Sequence, residues 1–330
     1  MTIWIQSVVR VKELMMPEFL DTLKLFGGFV YLLMGGELLV RGALAFSKRT
    51  RIPAVVVGMT VVAMGTSAPE LMISILAALS GHPDVAVGNV IGSNIANVLL
   101  VLGVPLLLYP IATNQPGLRW QTSLMIAVSI FFIVLCYFQP ITIFGGISLV
   151  SVLVVFLIAS ARGVAILPNV EDAEEELKGI GLPSHPSTIL LLIVLGCIAL
   201  PLGADLVVRG GVGLAASWGI KESVIGLSLV ALGTSLPELS TTLVAAFHKN
   251  SDVAIGNVIG SNLFNILAIL GITAILTDIP VSADFMEFDI WVMLAASLTL
   301  WVAALLKGSL GRLMGAFYLG SYLLYIWILF

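Results

Sequence analysis

Residues 65–97 read GTSAPELMISILAALSGHPDVAVGNVIGSNIAN, and residues 233–265 read GTSLPELSTTLVAAFHKNSDVAIGNVIGSNLFN. The second stretch lies 168 positions after the first. At that spacing Ile52 to Gly103 falls on Ile220 to Gly271 without a gap, and 27 of the 52 positions are identical. Upstream, Glu37 falls over Asp205 and Arg41 over Arg209. Self-similarity at a fixed period decides architecture before any single residue does. This chain is one unit used twice.

The solvent of that unit follows from composition. Of 330 residues, 59% are apolar and 10% charged, whereas an average soluble domain is about 45–50% apolar and about 25% charged. Too few charges are present to cover a water-facing surface. A bilayer core asks for about 20 predominantly apolar residues per spanning helix, and such runs recur at 22–46, 52–79, 85–108, 120–138, 141–160, 188–214, 220–247, 253–276, 288–306 and 311–329. The fold class expected is an all-α polytopic membrane protein of ten transmembrane helices, five in each copy.

Five is odd, so the second copy enters the membrane from the opposite face and the repeats are inverted, a plan typical of secondary transporters with a site near the bilayer midplane. The expected organisation is a first five-helix repeat with an N-terminal extension over 1–161, a hydrophilic linker over 162–187 rich in glutamate and proline, and the second repeat over 188–330. With the N-terminus outside, nine basic residues fall in cytoplasmic loops (Lys48, Arg49, Arg51, Arg119, Arg162, Lys178, Lys249, Lys307, Arg312) against four opposite (Arg10, Lys12, Lys24, Lys221). The bias places both termini outside and the linker in the cytoplasm. The expected location is the cell (inner) membrane of the host, in multi-pass form. Positive charge follows the first short apolar stretch instead of preceding it, so the start does not read as a signal peptide, and Met16 serves equally as a first residue.

A net charge of -4 points to neither nucleic acid nor an acidic partner. Cys136 and Cys197 sit in apolar runs and read as small buried side chains. The lipid bilayer is the expected partner, and oligomeric state is not legible.

The chemistry lies in the repeated motifs. Glycine and proline in Gly65-Thr66-Ser67-Ala68-Pro69-Glu70 and Gly233-Thr234-Ser235-Leu236-Pro237-Glu238 loosen the second span of each half, because proline lacks the N–H that would bond the carbonyl four residues back. The carbonyls of Gly65 and Gly233 are expected to be freed, and such backbone survives at membrane depth only beside a cavity or buried partners. Glu70 and Glu238 fall midway along their spans with no basic residue within a turn. A carboxylate there marks a functional site by default. Thr66, Ser67, Thr234 and Ser235 add hydroxyls one turn earlier. In the third spans Ser93 and Asn97 share a helix face, as do Ser261 and Asn265, while Asn89, Asn94, Asn257 and Asn262 suit interhelical hydrogen bonds. Oxygen ligands without histidine or cysteine select hard cations such as calcium. Two glutamates neutralise one divalent ion, and the same oxygens would hold monovalent ions in its place.

The paired G-T-S-x-P-E and G-N-x-x-G-S-N-x-x-N motifs resemble the two alpha repeats of the calcium/cation antiporter superfamily, in particular the bacterial and archaeal sodium/calcium exchangers. The resemblance implies a transporter, not an enzyme, that exchanges calcium for sodium at a central site reached alternately from either side, with no cofactor. It implies ligands at Thr66, Ser67, Glu70, Ser93 and Asn97 and at Thr234, Ser235, Glu238, Ser261 and Asn265, with backbone carbonyls of Ala63 and Ala231. Many relatives carry aspartate where Asn265 stands, a departure that bears on stoichiometry and on potassium or proton coupling.

Three other functions compete. A channel needs a continuous pore with sites weak enough for rapid exit, and an intramembrane hydrolase built on Ser67 or Ser235 needs a base within reach, which these spans lack. A proton-coupled calcium/cation antiporter is the closer alternative, since a proton would replace sodium on Glu70 or Glu238. Among the remaining polar residues, Glu37 with Arg41 and Asp205 with Arg209 read as i, i+4 pairs, Asp84 and Asp252 as helix N-caps, and His82, His185 and His248 as solvated loop residues.

Overall fold

Helices dominate because apolar, helix-forming residues run uninterrupted between glycine, proline and polar breaks. The computed structural model describes residues 2–115, 117–163, 182–219, 231–306 and 308–329. Its helices are α1 (Thr2–Thr50), α2 (Ala54–Thr66), α3 (Ala68–Leu79), α4 (Pro83–Leu108), α5 (Leu118–Tyr137), α6 (Ile143–Gly163), α7 (Pro186–Ser217), α8 (Ala231–Thr234), α9 (Leu236–Phe247), α10 (Ser251–Leu276), α11 (Phe285–Leu306) and α12 (Arg312–Leu329). Among the described residues eight helices are long and apolar enough to cross a membrane, or nine if α2 and α3 form one span. The expected linker and the first part of the expected span over 220–247 fall largely on 164–181 and 220–230, outside the described residues. Large side chains such as Phe144, Leu313 and Trp327 are more than 70% exposed, an outward apolar belt that a water-soluble monomer does not tolerate.

The bounds of the elements repeat at the spacing of the sequence. Adding 168 to α3 and α4 gives α9 and α10 residue for residue. Contacts between halves are reciprocal: α12 packs on the end of α4, and α6 on the end of α10. The strand β1 (Ile111–Ala112) pairs antiparallel with β2 (Ser309–Leu310), while Ile141 bridges to Ile279. Each half thus closes the other.

Glycines set the closest approaches. A Cβ on Gly256 would lie 2.6 Å from the Val55 carbonyl, and one on Gly260 would run into the backbone of Met59. α10 therefore lies directly against α2, as small residues permit in membrane interfaces. α1 and α7 share a similar seam, where Gly196 faces the Leu39 N–H and Gly203 the Leu32 N–H.

The loosened span 52–79 bends by 47° between α2 and α3, and two sequence expectations change. Ser67, at φ -86° and ψ 7°, sits in the break, just before Pro69 interrupts the bonding ladder. The caps also shift: Asn250, not Asp252, caps α10 by accepting the Val253 N–H at 2.9 Å. Asp84 and Asp252 stand in the first turns, where the helix dipole favours negative charge. His248 is not solvated, because its Nε2 meets Glu37 Oε2 at 2.7 Å in a partly buried contact. Glu37 also lies 3.5 Å from Arg41, and Asp205 pairs with Arg209 at 2.7 Å.

Candidate cation site

The bend delivers the carboxylates. Glu70 stands in the first turn of α3 and Glu238 in the first turn of α9, so each faces a helix N-terminus, where unpaired N–H groups favour negative charge. Each main chain is then held from the neighbouring helix. Asn89 Nδ2 donates to the Glu70 carbonyl at 3.2 Å and to Ser74 Oγ at 2.9 Å. Asn257 Nδ2 donates to the Glu238 carbonyl at 3.3 Å and to Thr242 Oγ1 at 3.0 Å. These are equivalent bonds in the two halves.

Cross-links between the halves bring the candidates together. Ser67 Oγ donates to Glu238 Oε1 at 3.2 Å, and Thr66 Oγ1 reaches Asn257 Oδ1 at 3.4 Å and the Ala63 carbonyl at 3.2 Å. Both carboxylates are buried at 1% exposure. Asn97 and Asn265 open π-helical turns, Asn97–Val101 and Asn265–Leu270, in the middle of α4 and α10. In the first, Leu102 N–H bonds the Asn97 carbonyl at 3.2 Å, five residues back. Such bulges insert a residue and re-aim side chains, often at functional sites.

Five buried oxygens have no hydrogen-bond partner: Glu70 Oε2, Glu238 Oε2, Asn97 Oδ1, Asn265 Oδ1 and Ser261 Oγ. Among the described residues only three other buried side-chain atoms are so placed, on Arg41, Gln115 and Gln121. An unsatisfied buried polar atom costs about 1–3 kcal/mol. All five sit on residues expected from the sequence as ligands, drawn from both halves. No group of three or more His, Cys, Asp or Glu side chains gathers among the described residues, so the donors here are oxygens with two carboxylates.

The remaining candidates are placed less directly. Ser93 and Ser235 are buried, Ser93 one turn before Asn97 on α4. Thr234 is half-buried and has its own partner. The Ala63 carbonyl already accepts the Ser67 N–H at 2.9 Å as well as the Thr66 hydroxyl, so it would reach an ion only if that hydroxyl turned away. In the other half the Ser235 N–H bonds the Leu232 carbonyl at 3.1 Å. A cavity of about 670 Å³ lined by Thr113, Thr299 and Arg312 includes none of these residues.

The model of the sodium/calcium exchanger protein family matches residues 21–162 and 188–330. CaxA of Alkalimonas amylolytica is 36% identical over 307 residues, covering 92% of this chain and 96% of its own. The sodium/calcium exchanger MaX1 of Methanosarcina acetivorans is 31% identical over 344 residues, covering 92% and 96%. The solved sodium-calcium exchanger NCX_Mj, soaked with zero Na+ and Ca2+, superposes with a TM-score of 0.81 at 29% identity over 94% of this chain and 99% of that one.

Proposed function

Because the chain belongs to the sodium/calcium exchanger protein family, we propose that it exchanges calcium for sodium by alternating access at one oxygen site near the bilayer midplane. The observation that carries this reading is the set of five buried oxygens without partners, drawn from both halves. Calcium takes 6–8 oxygens in flexible geometry, and Glu70 and Glu238 match its charge. Thr66, Ser67, Ser93, Asn97, Thr234, Ser235, Ser261 and Asn265 are the neutral ligands of the proposal, with the carbonyls of Ala63 and Ala231. Sodium, with half the charge and a similar taste for oxygen, competes for the same carboxylates, and that competition is the coupling.

The inverted ten-helix arrangement supplies the two access states. A site shared by equivalent halves of opposite orientation has one half nearer each face, so exchanging their conformations exchanges the open side. α1 and α7 are the pair that moves. They pack on each other along the glycine seam and on the motif glycines: Cys197 Sγ of α7 would lie 2.6 Å from a Cβ on Gly65.

The test is calcium uptake into proteoliposomes of purified protein, driven separately by an outward sodium gradient and by a pH gradient. The reading expects uptake with sodium. Uptake driven by pH alone replaces it with proton-coupled exchange.

A further inference from the structure

The unpartnered Asn97 and Asn265 oxygens raise a question of orientation. An asparagine side chain presents an oxygen at one arm and an NH2 group at the other, and a half-turn about its last torsion puts a donor where a cation needs an acceptor. Something has to set the turn. Asn97 Nδ2 donates to Asn262 Oδ1 at 3.1 Å, and Asn265 Nδ2 donates to Asn94 Oδ1 at 2.9 Å. Each bond crosses from one repeat to the other and pins the NH2 arm away, leaving Oδ1 without a partner.

Asn94 and Asn262 face the same ambiguity, and a second layer resolves it. Asn262 Nδ2 contacts Met125 Sδ at 3.6 Å, and Asn94 Nδ2 contacts Met293 Sδ at 3.7 Å. A thioether accepts weakly and donates nothing, so it draws the NH2 arm and turns the oxygen toward the ligand asparagine. Asn94 Nδ2 also reaches the Asn262 main-chain carbonyl at 3.4 Å. The two asparagines and two methionines are all buried at 1% exposure or less, and Met125 and Met293 stand 168 positions apart like the asparagines they serve.

Resting on the exchange reading above, we propose that Asn94 and Asn262, held by Met293 and Met125, are positioning residues that turn the Asn265 and Asn97 carbonyls onto the transported cation. They touch no ion themselves. Their action is that of the outer partners that orient metal ligands, whose loss typically costs about 10–100-fold in affinity.

The experiment measures calcium binding to purified protein, the KM of sodium-driven calcium uptake and the melting temperature for the parent, Asn262→Leu, Met125→Leu, Asn97→Asp and the Asn97→Asp/Asn262→Leu double variant. Asn262→Leu should weaken calcium binding roughly tenfold or more, and Met125→Leu should weaken it less but in the same direction with the melting temperature held. Asp at position 97 offers oxygen on both arms and needs no orientation, so adding Asn262→Leu to Asn97→Asp should cost nothing further. A merely structural role predicts the opposite pattern: a lowered melting temperature, unchanged KM, and the same penalty in both backgrounds. That pattern overturns the proposal, as does calcium affinity within twofold of the parent in Met125→Leu, which decides the matter if Asn262→Leu does not fold. A parent that shows no sodium-driven uptake and no calcium binding sinks the exchange reading and the relay with it; a parent that transports beside unshifted variants sinks the relay alone.

Discussion

Replacing Glu238 by glutamine removes one charge and little else. The amide oxygen still accepts the Ser67 hydroxyl that now reaches Oε1 at 3.2 Å, and the main chain keeps its bond from Asn257. What goes is Oε2, the buried oxygen without a partner. A divalent ion about 2.4 Å from a carboxylate oxygen gains roughly 14 kcal/mol of attraction at an effective dielectric of about 20, most of it offset by stripping water from both. Removing one partner of a buried charge pair costs about 3–5 kcal/mol net, which is roughly two to three and a half powers of ten in calcium affinity. Glu238→Gln should therefore abolish sodium-driven uptake of radioactive calcium at concentrations that saturate the parent. Melting of the ion-free protein should be no lower than the parent's, because an unpaired carboxylate leaves the core. Glu70→Gln should act alike, since the halves are equivalent. A KM within threefold of the parent in either variant would show that its carboxylate does not hold the ion.

Asn265→Asp adds a third carboxylate to the proposed ligands and sets its oxygen against Asn94 Oδ1, which now receives the Asn265 NH2 at 2.9 Å. Its calcium flux should vary more steeply with pH than the parent's at fixed sodium, and superimposable profiles in an active protein would remove Asn265 from the ligands. Inversion is checked by His82→Cys and Lys249→Cys in a protein with Cys136 and Cys197 changed to alanine; the two exposed positions close corresponding loops of the repeats. An impermeant thiol reagent on intact cells should label the first and not the second, and labelling of both denies opposite orientation. Gly260→Ala drives a Cβ into the Met59 backbone and within 2.7 Å of Ala63 Cβ, so thermal unfolding should show a loss of about 1–3 kcal/mol.

The repeat carried most of this into the sequence. Glutamates, hydroxyls and asparagines could be singled out because they recur at one spacing, and the structure gathers Ser67 with Glu238 and Asn97 with Asn262 across the halves. Other features left weaker traces. Pro69 announced a break but not its angle, because a bend depends on the helices that fill the space beside it. The π-turns at Asn97 and Asn265 have no composition of their own, since one inserted residue in an apolar run leaves the pattern intact. His248 reads as a loop residue until α1 is laid against α9, when it meets Glu37. Met125 and Met293 were invisible as anything but core, because a sulfur acquires a role only once a donor is placed against it.

The proposed site holds one cation between the halves, bound by Glu70 and Glu238 together. Anomalous difference density from calcium-soaked crystals of this protein tests it most directly. A peak is expected about 2.3–2.6 Å from carboxylate oxygens of both residues, lost in Glu238→Gln crystals. A well-occupied calcium peak bound by neither carboxylate, with both side chains ordered, would contradict it.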